Sequence, residues 1–205
     1  MRLHYHPLSS YSRKAAIGIA LREDPVDLVI LNALAGDLKS PAFLALNPFG
    51  KMPVLETDTG PVYESTSILE YLEELGPRRL IPVGHERRAR HFDRLGDLYL
   101  LNPLGKFFWD KSDEVREAAV TTSGRAWAVW ELALADGGDF LCGAEITLPD
   151  LGAAIAADIA VSEGLTLPDP IRRYHERLLA HPVLAASAVA AVPFVEMTKP
   201  RRVKA

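Results

Sequence analysis

The sequence has a single cysteine, Cys142, among its 205 residues. One thiol excludes an intrachain disulfide framework and any CxxC redox pair, and it points to a reducing compartment. No run approaches the ~20 consecutive apolar residues that a bilayer-spanning helix needs, and no basic-then-apolar leader opens the chain. The expectation is a soluble, cytoplasmic protein. Charge of one dominant sign is also missing: 23 Lys and Arg stand against 27 Asp and Glu, a net charge of −4. The pairs Arg78-Arg79, Arg87-Arg88 and Arg172-Arg173 are scattered rather than pooled, which disfavours nucleic acid as a partner. The basic tail KPRRVKA reads as a solvated chain end. There is no internal repeat, and the alanine-rich tract LAASAVAAV reads as a tightly packed helix.

What is present is apolar residue in quantity, 48% of the chain, ample for the core of one large domain or two small ones. Two halves with different patterning divide it. Up to about Leu75, strand and helix signals alternate. MRLHYH reads as a strand, 11–22 as a helix with Ala16, Ile17, Ala20 and Leu21 at helical spacing, and VDLVIL as a second strand. A short helix over 41–46, strands in MPVLET and PVYES joined through Asp58, Thr59 and Gly60, and a helix over 65–75 complete the order βαβαββα. Strand-helix-strand implies a parallel pair with a right-handed crossover, and the tight turn at Gly60 makes the last pair antiparallel. After GPRRLIPVGHE, strand signals vanish. Helices are expected over 87–101, broken near Asn102-Pro103, over 114–135, over 148–163, and in shorter pieces after Pro170 and Pro182. The fold class is therefore an α/β N-terminal domain (1–77), a linker (78–86) and an all-α domain (87–205).

Four stretches carry chemistry or local structure. In YHPLSSYSRKAAIGIAL, Ser9, Ser10 and Ser12 crowd a helix N-terminus, where unpaired amides and the helix dipole favour an anion. The plainer alternative is that one serine caps the helix and the rest fill the turn. Arg13 and Lys14 are expected to face outward. In LNPFGKMPVLE, Pro53 opens a strand. A cis Met52-Pro53 bond would leave the Met52 backbone ready to pair with an extended peptide, whereas a trans bond would make Pro53 an ordinary strand opener. In YESTSILEYLEE, Ser65 is the expected N-cap of a helix burying Ile68, Leu69, Leu72 and Leu75. A carboxylate can sit at that end, and Glu64 can accept an ammonium group. In ITLPDLGAA, Thr147 and Asp150 form a capping box with Pro149 in the first turn and Ile146 and Leu151 as a staple, a structural feature worth about 0.5–2 kcal/mol. His4 and His6 share a strand face, but no third ligand is evident, so they read as packed or hydrogen-bonded rather than as a metal site. Cys142 reads as a small buried hydrophobe.

Taken together, these four stretches resemble the cytosolic glutathione transferases, nearest to the serine-type patterns of the theta, delta and zeta classes. The resemblance implies a thioredoxin-like N-terminal domain with a mixed sheet and cis-proline, an all-helical second domain, a homodimer, and glutathione as co-substrate without a metal. It implies Ser9 as the thiol-activating residue, Ser10 as support, and Tyr5 as the alternative used by tyrosine-type classes. It implies Lys51, Met52, Pro53, Glu64 and Ser65, and less firmly Lys39, as glutathione-binding residues. A second, electrophilic substrate is expected in a cleft between the domains, with Leu8, Tyr11, Tyr99, Phe107, Phe108 and Trp109 as candidate walls, although an aromatic cluster at helical spacing is more often core. The implied activity is conjugation of glutathione to a small hydrophobic electrophile, in detoxification. The turn lacks the cysteine of classes that exchange disulfides. SSYS also resembles the zeta turn, which has a cysteine where Tyr11 stands, so a maleylacetoacetate isomerase-like or dehalogenase activity, or a catalytically silent interaction protein, are the alternatives.

Overall fold

A computed structural model describes residues 1–199; six of the seven residues of the basic tail KPRRVKA lie outside the described residues. The chain divides into two compact units between Leu80 and Ile81, inside the expected linker.

The first unit is a four-stranded mixed sheet with helices. The strands are β1 (Arg2–Tyr5), β2 (Asp27–Ile30), β3 (Val54–Thr57) and β4 (Gly60–Tyr63), in the spatial order β2-β1-β3-β4. β1 runs parallel to β2 and antiparallel to β3, and β3 runs antiparallel to β4. Helices α1 (Ser10–Arg22), α2 (Pro41–Leu46) and α3 (Ser65–Leu75) follow β1, β2 and β4, so the order is βαβαββα. Leu3, Val54 and Leu55 from the sheet are fully buried, as are Ile68 and Leu72 from α3.

Helix α1 buries Ile17 as its apolar spacing predicts, with Ala16 and Leu21 half-buried, but the buried surface extends well beyond that face. Ala20 is exposed, while Arg13, Lys14 and Arg22 are buried together with Ala15, Gly18 and Ile19. Arg13 and Lys14 therefore do not face outward. The helix approaches α3 closely at Gly18, where an added Cβ would lie 2.4 Å from a methyl of Leu69. That proximity encloses the long cations, which are satisfied from inside. Arg22 donates to the Leu72 carbonyl, to the Arg78 carbonyl and to Glu73 (3.0 Å), and Glu73 also accepts from the Leu80 amide. Single-face apolar periodicity is a poor guide where a buried cation finds acceptors.

The second unit is helical: α4 (Glu86–Gly96), α5 (Asn102–Trp109), α6 (Asp113–Leu134), α7 (Leu148–Ser162), α8 (Asp169–Leu179) and α9 (Pro182–Thr198). The break expected at Asn102-Pro103 is instead a wide π-turn over Asp97–Leu101 that joins α4 to α5 with helical dihedrals at Gly96, Leu101 and Asn102. Pro103 has no N–H to give to the turn before it, and its ring crowds that turn's carbonyl; widening the preceding turn accommodates both without ending the helix. Helix α7 is the centre of the unit, with Leu148, Leu151, Ile155 and Ala156 fully buried. The alanine-rich tract is helical within α9 but not tightly packed: of α9, only Leu184, Ala191 and Thr198 are buried, while Val189 and Val192 are exposed. Its small side chains bury little even where they meet the domain. No single helix among the described residues is long and apolar enough to cross a membrane.

Candidate functional site

Strand pairing brings three segments of the first unit to one end of the sheet. His4 lies opposite Val54, and Val54 opposite Tyr63. The chain leaving β1 at Tyr5, the chain entering β3 through Met52 and Pro53, and the chain leaving β4 at Glu64 are thus neighbours.

After β1, the chain turns through His6–Ser9, closed by the Ser9 amide on the His6 carbonyl (3.0 Å). The His6 ring reinforces the turn, its Nδ1 accepting from the Leu8 amide at 3.0 Å. Burial lowers the His6 pKa, which keeps Nδ1 an acceptor. Ser9 is the N-cap of α1, its Oγ accepting from the Ser12 amide at 3.3 Å. That bond uses a lone pair and leaves the hydroxyl proton for another acceptor. The alternatives of cap and thiol donor are therefore compatible in one residue. Ser10 and Tyr11 open the helix, half-buried, as is Leu8. Tyr5 is also half-buried, and burial raises its pKa, with no cation among the causes. His4 donates through Nε2 to the Glu56 carboxylate (2.9 Å), which also accepts from Arg2, so the two histidines serve separate local contacts.

The Met52-Pro53 bond is cis. Met52 precedes the β3 ladder, which begins at Val54, and it packs with Tyr63 on a cluster formed by Leu31, Phe43 and Val54. The loop before it is held by Asn47, a buried residue absent from the sequence-based set of site residues. Its Nδ2 donates to the Lys51 carbonyl (2.7 Å) and its Oδ1 accepts from the Phe49 amide (3.1 Å). A polar residue next to proline in a loop between helix and strand was the available signal. Lys51 and Lys39 are exposed.

Glu64, not Ser65, is the N-cap of α3, and its backbone sits at φ 72°, ψ 124°. A non-glycine residue there carries about 1–3 kcal/mol of strain, a cost that persists at ligand sites. The Glu64 side chain makes no capping hydrogen bond to this helix, and Ser65 is its buried first residue. Exposed Glu64 thus stands beside a helix N-terminus, an acceptor for an ammonium next to donors for a carboxylate.

The helical unit separates the remaining candidates. Phe107 and Phe108 are buried, Phe107 in a cluster with Val115 and Ala119, whereas Tyr99 and Trp109 are 47% and 46% exposed. Thr147 and Asp150 form the capping box of α7, with Asp150 accepting from the amide of Thr147 (2.7 Å).

Residues 3–79 match the family described as glutathione S-transferase, N-terminal domain. The first unit is therefore a glutathione S-transferase N-terminal domain. Among similar curated proteins, the maleylacetoacetate isomerase of Pseudomonas aeruginosa is 36% identical over 94 residues, 44% of this chain and 44% of that protein. Elongation factor 1-gamma 2 of Oryza sativa is 44% identical over 59 residues, 29% of this chain and 14% of that protein. The match thus spans less than half the length of these curated relatives. Similarity of fold extends further: a bacterial maleyl pyruvate isomerase, a zeta-class glutathione S-transferase, superposes with a TM-score of 0.78 at 23% identity, covering 93% of this chain and 98% of that one. The glutathione S-transferase architecture, a thioredoxin-like sheet domain followed by a helical region, accordingly describes both units.

Proposed function

We propose that this chain is a glutathione transferase that conjugates the glutathione sulfur to a small, hydrophobic electrophile. The observation that carries the reading is the convergence, at one sheet end, of the Ser9 turn, cis Met52-Pro53 and the strained Glu64 at the start of α3. Glutathione lies there as an extra extended strand on the Met52 backbone. Its α-ammonium meets Glu64, its α-carboxylate meets Ser65 and the first α3 amides, and its glycyl carboxylate meets Lys51. A free thiol with a pKa near ~8.5 is mostly protonated at neutral pH. The Ser9 hydroxyl donates to sulfur at the positive end of α1, which favours the thiolate, and Ser10 supports the turn. The sulfur lone pair then forms the C–S bond, and the leaving group departs with its electron pair. Leu8 and Tyr11 contribute to the electrophile's wall. Within the helical unit, Tyr99 and Trp109 have exposed rings, whereas Phe107 and Phe108 are buried in its core. The working assembly in this reading is a homodimer, to be checked by sedimentation equilibrium.

The test begins with calorimetric titration by glutathione; no heat at millimolar ligand ends the reading. The absorbance of bound thiolate is then followed against pH. Ser9→Ala is expected to raise the apparent thiol pKa and slow conjugation while affinity changes little, and Tyr5→Phe to behave as wild type. The reverse pattern would transfer the role to Tyr5. A second reading is favoured by the similarity to maleylacetoacetate isomerase over 94 residues: the same thiolate adds to a cis double bond, rotation follows, and sulfur is expelled. Glutathione consumption separates the two, since isomerisation regenerates it and conjugation does not.

A further inference from the structure

Helix α9 has apolar residues on every side. From Pro182 to Thr198 its only ionisable side chain is Glu196, and that carboxylate is paired with Lys199 at 2.7 Å. A helix apolar all round belongs in a core or against another surface. Yet α9 uses one narrow side against its own domain: it packs on α7 and α8, and its buried residues Leu184, Ala191 and Thr198 recur every seven positions. Helical spacing puts Ala186, Val189, Ala190, Pro193 and Met197 on the opposite side. All five are exposed, Val189 by 70% and Met197 by 62%. Val192, at 54%, widens the same patch. Directly after this helix the sequence reads KPRRVKA, with Lys199, Arg201, Arg202 and Lys204 and no acid, in a chain whose net charge is −4. Apart from the paired Glu196, the outward side offers no polar side chain to fix the register of a protein partner. An apolar helix face joined to a cluster of cations suits a surface that is fluid, apolar within and negative outside.

We propose that the outward side of α9 and the basic run that follows it form a docking surface for an anionic lipid bilayer. The helix lies in the plane of the interface, with Val189, Val192 and Met197 among the acyl chains while the cations meet lipid phosphates. It does not cross the bilayer, because Leu184, Ala191 and Thr198 hold its other side to the domain. The inference stands apart from the glutathione reading. The test is flotation of the whole chain with vesicles of phosphatidylcholine alone and of phosphatidylcholine with phosphatidylglycerol. Wild type is expected to float with the anionic vesicles only, and less as salt is raised. Val189→Ser with Val192→Ser, and Arg201→Gln with Arg202→Gln, are each expected to weaken binding about tenfold at an unchanged melting temperature. Arg116→Gln with Arg125→Gln, an exposed pair on α6, removes the same charge and is expected to leave binding unchanged. An equal loss in that control assigns binding to net charge and overturns the proposal. Absence of wild-type binding, or wild-type affinity in either of the other two variants, overturns it as well. Should the serine variant fail to fold, the Arg201 and Arg202 variant decides alone. Sedimentation velocity without lipid covers the other occupant: self-association that the serine variant abolishes gives the face to a second copy of the chain and overturns lipid docking.

Discussion

Glu64 concentrates the logic of the site in one residue. Its positive φ would suit glycine, yet the position carries a carboxylate. Strain and charge can be separated by substitution. Glu64→Gly relieves the backbone and is expected to raise the melting temperature, by up to about 1 kcal/mol of stability, while weakening glutathione. Glu64→Ala keeps the strain and loses the same binding without the stability gain. Equal stability of the two variants would place the strain elsewhere. Ser9 makes a related point: as the N-cap its oxygen has a structural task, and as a hydroxyl it still has a proton to give. The serine cluster was legible because hydroxyls before a helix are a local signal. The burial of Lys14 was not, because it depends on acceptors 52 residues away in sequence.

At the scale of the element, the start of α7 carries more energy than a surface cap. Asp150 is fully buried and accepts from the amides of Leu141 (3.1 Å) and Thr147, from the Thr147 hydroxyl and from the Tyr174 hydroxyl. Burial pushes its carboxyl above the usual range against the pull of these donors. Asp150→Ala strands several buried donors at once, so the expected loss is about 3–5 kcal/mol rather than the ~0.5–2 of an exposed cap. Denaturant unfolding measures it; a loss under 1 kcal/mol would mean that water replaces the carboxylate. Tyr174 adds a pH signature. Burial, then the nearby Asp150 charge, holds its hydroxyl well above the ordinary value. The unfolded chain ionises near pH ~10 and the folded one does not, so this contribution is intact below pH ~10 and is lost as pH rises toward the folded value. Alkaline melts should therefore fall more steeply for wild type than for Tyr174→Phe. Equal slopes would mean another group governs the alkaline limb.

At the scale of the whole molecule, the lone thiol reports on integrity. Cys142 is buried, and burial raises its pKa, so thiolate is scarce in the native state. A disulfide reagent should label it far more slowly than it labels free cysteine, and Asp150→Ala should accelerate labelling in step with its loss of stability. Rapid labelling of the native protein would contradict the burial. The same enclosure leaves added glutathione, rather than this cysteine, to supply the reacting sulfur in the proposed chemistry.

The sequence by itself determined the order of elements, the change from mixed to all-helical patterning and the likeness of its first unit to a known domain, because turn residues, caps and periodicity act over a few neighbours. It also located Glu64, Ser65 and the serine turn in the chain. Tertiary structure alone decided how far the buried surface of α1 extends, that the Pro103 region widens a helix instead of ending it, and that α9 packs loosely. It also decided that Asn47 holds the Met52 loop, and that segments far apart in sequence meet at one sheet end. In each case, the deciding contact comes from another element, and only the assembled fold supplies the acceptor, the neighbour or the space.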